Sequence, residues 1–331
     1  MKPLRKTFLV AGGAGFLGSH VVRILIRTGR RVFAGVRAGS NLWRLAGLNG
    51  VEITPFDLTQ PSQISDVLAR IGPDVVINCA AYGVSYDHQD AGMAESVNAT
   101  GAEALCRLAR DRNVHRLIHV GTAYEYGSIS HDDPIAETAV PAATSLYGKT
   151  KRAGSDAVLN VAGRIGLDAL VVRPFGFYGP MEESGKFAPQ LISALIRGET
   201  LALSPGHQVR DYTYVADVAL AIARLCDLDP FPAGEILNLG SGRGITLRGF
   251  ADAITAALEK KSSVSGRLDW GGRPYRDDEV MTLVSDTRMT DSILGPIATT
   301  SLEAGLDHTI ESYLMGHDQG HGQKGGASCA I

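Results

Sequence analysis

Short apolar runs alternate with stretches of helical periodicity along the first half of the chain. The runs at 7–11, 31–36, 51–56, 75–78, 117–120 and 168–173 carry few charges. Such runs suit strands covered on both faces. Between them, apolar residues recur at helical spacing over 16–28, 61–70, 94–111 and 146–163. Strands alternating with helix-length segments predict an α/β fold built on a Rossmann-type, doubly wound parallel sheet. After Gly179 the alternation loosens, and helices are expected at 186–197, 215–226 and 247–259 with a strand at 235–239. The expected organisation is a sheet domain over 1–179 and a smaller C-terminal lobe, mainly 180–314, whose elements can return to the first domain. Residues 315–331 are glycine-rich, polar and aperiodic, and are expected to be a disordered tail.

The 331 residues include 32 basic and 35 acidic side chains, a formal net charge of −3. That balance gives no global reason to expect nucleic acid or an anionic membrane as partner. Apolar runs fall short of the roughly 20 residues that span a bilayer. The basic start followed by FLVA is shorter than a signal-peptide core of about 7–15 residues, and reads as a first strand. Cys79, Cys106, Cys226 and Cys329 show neither C-x-x-C nor metal-ligand spacing. They read as small buried residues of a reducing cytoplasm plus one tail cysteine, and no metal site is expected. The 39 glycines are informative by position: they cluster just after the strands, at 12–18, 35, 83, 121, 176 and 240. In an open α/β sheet the ligand crevice lies beyond those strand ends.

Gly12, Gly15 and Gly18 stand in G-x-x-G-x-x-G spacing between the first strand and the first helix. The first glycine permits a sharp turn and the second a close backbone approach. The third packs helix on sheet, and the amides around Phe16 and Leu17 open a helix N-terminus suited to a pyrophosphate. The turn therefore predicts a dinucleotide site. An acid after the second strand would take ribose hydroxyls; here Arg37 stands there, with Ser40 beside it and Arg44 a turn further. A cation suits a 2′-phosphate, so NADP(H) is favoured and NAD(H) remains possible. Asp57, with Leu58, is placed either to cap an adenine amino group or to serve as an acid near the next helix start.

Tyr147 and Lys151 form Y-x-x-x-K on the helix at 146–163, four residues apart on one face. An ammonium beside a phenol would lower its pKa and make it an acid/base for carbonyl–alcohol interconversion. Thr122 lies at the carboxyl end of the fifth strand, where its hydroxyl could bond the reacting oxygen.

With these motifs in this order, the chain resembles the extended short-chain dehydrogenase/reductase superfamily, in its nucleotide-sugar epimerase/dehydratase/reductase branch. The resemblance extends to Asn78-Cys79-Ala80-Ala81, Val97-Asn98-Ala99-Thr100-Gly101 and Arg173-Pro174-Phe175-Gly176-Phe177-Tyr178-Gly179-Pro180. Later it covers Arg210-Asp211-Tyr212-Thr213-Tyr214 and Asn238-Leu239-Gly240-Ser241-Gly242. It implies that Thr122, Tyr147 and Lys151 are catalytic and that Ala80, Ala81, Asn98, Pro174 and Phe175, together with Tyr147 and Lys151, line the cofactor. It puts Tyr82, Ala123, Tyr124, Gly176 and Phe187 on the substrate side, with pocket shape also set by the 82–86 segment, and Arg210 and Arg276 on a substrate diphosphate. A homodimer through the helices at 94–111 and 146–163 is likewise implied.

Three departures matter. The family's 4,6-dehydratases carry Asp-Glu directly after the catalytic Thr, where this chain has Ala123 and Tyr124; the decarboxylating members' glutamate is absent too. Gly176 replaces an asparagine common in the family, which reads as a roomier pocket. Arg37 tilts the reading toward an NADPH-dependent 4-ketoreductase of a 4-keto-6-deoxy sugar nucleotide. The alternative is a 4-epimerase with bound NAD. Reduction of a non-nucleotide carbonyl and a non-catalytic NADP-binding regulator complete the set.

Overall fold

The computed structural model describes residues 6–83, 89–128 and 133–316. The tail beyond Gly316, with its histidines and Cys329, lies outside the described residues, as does 84–86 of the expected pocket segment.

Seven parallel strands make the main sheet: β1 (Thr7–Ala11), β2 (Arg31–Val36), β3 (Val51–Pro55), β4 (Val75–Asn78), β5 (Arg116–Val120), β6 (Asp168–Pro174) and β10 (Ile236–Leu239). Their order is β10-β6-β5-β4-β1-β2-β3, so the winding reverses between β1 and β4. The register pairs Ala11 with Gly35 on one side and Asn78 on the other. The ends of β1, β2 and β4 thus open into one crevice at the topological switch point. The last strand, β10, comes from beyond residue 179 and pairs with β6.

Every residue of β1 and β4 is buried, and alternate residues serve opposite faces, as the two-residue period requires. Phe8 and Val10 pack in one core with α1 (Phe16–Arg27) and α7 (Val215–Leu225). Leu9 and Ala11 pack in the other with α2 (Pro61–Ile71), α4 (Gly101–Asp111) and α5 (Leu146–Ile165). The helix expected at 94–111 is in fact α3 (Ala91–Glu95), a π turn at Ser96–Thr100 and then α4. The π turn carries Asn98 and sits against α5 at Gly154, where a Cβ would collide with the Asn98 carbonyl. Such single-turn widenings often mark functional positions.

The smaller lobe holds β7 (Gly176–Tyr178), β9 (Val209–Tyr214), β11 (Gly244–Thr246) and β13 (Thr282–Leu283), all joined through β9. A second ribbon pairs β8 (Thr200–Leu203) with β12 (Arg267–Trp270). Around them, α6 (Phe187–Arg197), α8 (Leu247–Glu259) and α10 (Leu302–Leu314) close a core on Tyr178, Phe187, Leu191, Phe250 and Leu306. Tyr212 stacks on Phe250 with ring centroids 3.8 Å apart. One further helix, α9 (Arg288–Leu294), packs on β10. Among the described residues, no helix is long and apolar enough to cross a membrane.

Candidate active site

The β1–α1 turn explains its glycines. Gly12 has φ +72°, a conformation that disfavours any side chain, and a Cβ there would lie 2.7 Å from the Ala80 nitrogen. A Cβ on Gly18 would collide with the Gly12 carbonyl, so the third glycine lets α1 approach the turn. Gly15 is the N-cap of α1 with no side-chain cap, and the first turn has no acidic residue. Its leading amides, at Phe16 and Leu17, are free of any capping side chain and lie in the favourable field of the helix dipole. These residues fit a dinucleotide pyrophosphate.

Around this cradle the other expected cofactor residues divide. Arg37 and Ser40 follow β2, Arg37 exposed, and Ser40 N–H closes a turn on the Arg37 carbonyl at 3.1 Å. Arg44 is buried. Its Nε donates to the Met181 carbonyl at 2.8 Å, and its guanidinium lies over Trp43. It ties the 3₁₀ turn Trp43–Leu45 to the loop after β7, and its Nη1 reaches the Ala14 carbonyl of the glycine turn at 3.4 Å. Asp57 Oδ1 accepts from the Thr59 amide at 2.9 Å and from its hydroxyl at 2.8 Å, shaping the entry to α2, while Leu58 is core. Ala80 and Ala81 follow β4 at the crevice, Pro174 ends β6 and Phe175 follows it, buried against Tyr126. Asn98 spends its amide on the protein: it binds both backbone groups of Tyr82 at 2.8 Å and the Thr150 hydroxyl at 2.9 Å.

Thr122 leaves β5 as the N-cap of a 3₁₀ turn, Ala123–Glu125, in a reciprocal capping box. Its hydroxyl lies near enough to the Tyr147 phenol of α5 to lower its pKa, so the structure brings these two together. Burial holds that phenol above its ordinary pKa, the Thr122 hydroxyl pulls it down, and Glu125 and Tyr124 push it up. Lys151 lies one turn further along α5. Its amine, fully buried, donates to the Val120 carbonyl at 2.6 Å and touches His119 Nε2 at 3.5 Å. These contacts hold the amine at the end of β5. Burial pushes Lys151 down to about 8, against the opposing pull of Glu125 and Cys79.

Beneath the site lies a network with no sequence expectation attached. Glu125 is completely buried: Oε1 accepts from Thr122 N–H at 2.9 Å and Ser155 Oγ at 3.0 Å, and Oε2 pairs with Arg173 Nε at 2.8 Å. Arg173 is buried too, its guanidinium 4.5 Å from the centre of the Tyr126 ring. The lone charge closing the apolar run of β6 was the visible signal.

On the substrate side, Tyr124 is exposed at the mouth and Ala123 is buried. Tyr82 is half-buried beside Asn98. Gly176 corrects the expectation of a roomier pocket: it pairs with Tyr212 across β7 and β9, and a Cβ would lie 2.7 Å from the Asp211 carbonyl. The glycine permits close strand packing and leaves no added space. Phe187 is buried in the small-lobe core and stacks on Phe250, which takes it away from a lining role. Arg210 pairs with Glu279 at 2.6 Å, not with Asp211 or Asp217. Asp211 instead accepts from Ser241 and Ser285, and Asp217 from Thr299 and Thr300. Arg276 is half-buried one turn before Glu279, its carbonyl accepting from the Glu279 amide at 3.2 Å. Among the described residues, no group of three or more His, Cys, Asp or Glu could hold a metal.

A doubly wound sheet, a glycine turn with an open helix N-terminus at the switch point, and a Thr–Tyr pair beyond neighbouring β5 define a dinucleotide-binding fold. Residues 8–240 match the NAD dependent epimerase/dehydratase family, and the chain belongs to that family, as an extended short-chain dehydrogenase/reductase of the nucleotide-sugar branch. It is 30% identical to the dTDP-glucose 4,6-dehydratase of Xanthomonas campestris pv. campestris (strain B100), over 93% of each chain. The crystal structure of the UDP-glucose 4-epimerase of Thermotoga maritima with UDP-glucose is similar, with TM-score 0.83 and 25% identity over 93% of this chain and 99% of that one. DesIV, a dTDP-glucose 4,6-dehydratase from Streptomyces venezuelae solved with NAD bound, has TM-score 0.83 and 25% identity, covering 93% and 97%.

Proposed function

We propose that this chain is an NAD-dependent nucleotide-sugar 4-epimerase acting in the cytoplasm. The observation that carries the reading is the make-up of the turn after Thr122. The positions that hold an acid/base pair in 4,6-dehydratases are a buried alanine and an exposed tyrosine, Ala123 and Tyr124. The neighbouring carboxylate, Glu125, is committed to Arg173, Thr122 and Ser155 and cannot serve as a replacement. Oxidation and re-reduction at C4 need no such pair. The relatives reported above are dehydratases and an epimerase, so they lend no weight to a 4-ketoreductase. Their cofactor, where one is named, is NAD, which leaves Arg37 alone in favour of NADP.

NAD, when bound, supplies a hydride acceptor and donor at the end of the crevice. Tyr147 takes the C4 hydroxyl proton and later returns one, with the Thr122 hydroxyl aligned on the same oxygen. Turnover of the ketosugar between the two steps exposes its other face. Arg210 and Arg276 supply guanidinium groups suited to a diphosphate, and Glu279 pairs with the largely buried Arg210. In this reading the cofactor half is 1–179 with β10 returned to it, 180–314 mainly carries substrate, and α4 and α5 form the homodimer face.

Incubation with NAD and a panel of UDP- and dTDP-hexoses tests it. The expected result is C4 isomerisation with no net change in nicotinamide absorbance. Stoichiometric loss of NADPH on a 4-keto-6-deoxy substrate, or a 4-keto-6-deoxy product from dTDP-glucose, would replace the epimerase by a reductase or a dehydratase. For cofactor choice, Arg37→Asp is expected to leave NAD affinity unchanged. Any NADP binding should fall by at least about tenfold, the loss of one charge-assisted hydrogen bond. Titration of both nucleotides against wild type reads this directly, and a large loss of NAD affinity would contradict the assignment.

A further inference from the structure

We propose that His119 is a positioning residue for Lys151: Asn78 fixes its proton on Nε2, and the ring turns that N–H on the lysine nitrogen, disfavouring the ammonium form. The case is one of donors and acceptors. The Ala80 amide can only donate, and it donates to Asn78 Oδ1 at 3.2 Å, which fixes the end of the side-chain amide that is oxygen. The other end, Nδ2, therefore faces His119 Nδ1 at 3.1 Å and donates to it. Nδ1 must then be the lone-pair nitrogen, which excludes an imidazolium and leaves the neutral ring its proton on Nε2. Nε2 lies 3.5 Å from Lys151 Nζ.

An ammonium offers donors only. Against Nε2–H it would set donor against donor, whereas a neutral amine can turn its lone pair to that N–H and keep a hydrogen on the Val120 carbonyl, 2.6 Å away. Asn78, His119 and Lys151 are each only 1% exposed, and in such surroundings a mismatch of this kind is costly. The other ionisable groups acting on Lys151 come from neighbouring elements. Cys79 follows β4, and burial pushes its thiol up to about 12, so it is uncharged at neutral pH. Glu125, in the 3₁₀ turn, is held by Arg173 of β6. Burial and the nearby lysine keep His119 well below the ordinary histidine range, in accord with a neutral ring. The downward displacement of Lys151 has the same direction as the contact requires.

The consequence is that Lys151 changes between amine and ammonium within the working pH range, where an unperturbed lysine would stay charged to about pH 10. Its effect on turnover rests on the reading of Lys151 as a site residue; the tautomer and the titration do not. Nitrogen-15 spectra of the full chain should show His119 with Nδ1 unprotonated and Nε2 protonated across neutral pH, without titration. The Lys151 side-chain signal, identified by its loss in Lys151→Met, should titrate far below an ordinary lysine. In His119→Gln a side-chain carbonyl can face the amine. There the Lys151 midpoint should rise by at least about one pH unit, a tenfold gain in proton affinity, and any alkaline limb of the activity profile should move with it.

An Nδ1–H ring, an imidazolium, a wild-type lysine midpoint near 10, or an unmoved midpoint in His119→Gln would each overturn the proposal. If His119→Gln fails to fold, the wild-type spectra alone decide. The expected spectra with no turnover on any sugar nucleotide would sink the epimerase reading and leave this one standing.

Discussion

Tyr147→Phe is expected to cut epimerase turnover by about 10²–10⁴-fold, the range for loss of a positioned general acid/base, while NAD affinity and thermal stability stay at wild-type values. The variant removes a single oxygen. The ring remains on α5 and its packing is kept, so what disappears is the proton carrier and the influence of Thr122 on it. The structure also gives the effect a pH direction. Burial holds the phenol above its ordinary value, so the cofactor-free protein carries a neutral tyrosine at pH 7. Oxidation at C4 needs the deprotonated form, so the wild-type rate of that half-reaction should climb as pH rises through the neutral range. Single-turnover reduction of bound NAD by substrate, followed against pH in both proteins, measures the two effects together. A Tyr147→Phe protein that retains more than about a tenth of wild-type turnover, a loss of under 1.4 kcal/mol, would remove Tyr147 from its role.

The parts of this site that are legible in the sequence are those with fixed local spacing. Gly12, Gly15 and Gly18 sit in one turn, Tyr147 and Lys151 are one helical turn apart, and Thr122 ends an apolar run. Each can be placed on its element without knowing what packs against it. The central strands of the main sheet are readable for a similar reason, since burial on both faces writes a continuous apolar run, as in β1 and β4. In the small lobe the helices α6 and α8 are legible but the short strands are not, because β11 and β13 are only three and two residues long and leave no period to detect.

Side-chain direction was lost as well. Arg44 looked like a second phosphate ligand, yet the partner that turns it inward, Met181, is 137 residues away. Gly176 looked like a missing side chain, and only the pairing of β7 with β9 shows that none would fit. The Y-x-x-x-K spacing placed Lys151 on the same helix face as Tyr147, but the Val120 carbonyl and His119 decide where its amine points. The Glu125–Arg173 pair spans 48 residues and two elements.

That buried pair supports the second large expectation: Glu125→Ala should destabilise the fold by about 3–5 kcal/mol, the cost of stranding one partner of a buried ion pair. The substitution leaves the Arg173 guanidinium without its carboxylate and deprives the Thr122 amide and the Ser155 hydroxyl of their acceptor. It also empties the space under the capping box that sets Thr122. Denaturant unfolding should show a lowered midpoint with an unchanged slope, since the surface exposed on unfolding is almost the same.

The comparison that separates charge from packing is the double variant Glu125→Met with Arg173→Met. With both charges gone and much of the volume restored, it should be more stable than Glu125→Ala, because the desolvation cost of the pair disappears with it. Its catalytic behaviour should not recover in step, because the Thr122 amide still lacks the oxygen that fixes its turn. A double variant as unstable as the single one would show that shape, not charge, holds this corner of the site. One with wild-type turnover would show that Thr122 keeps its position without the carboxylate.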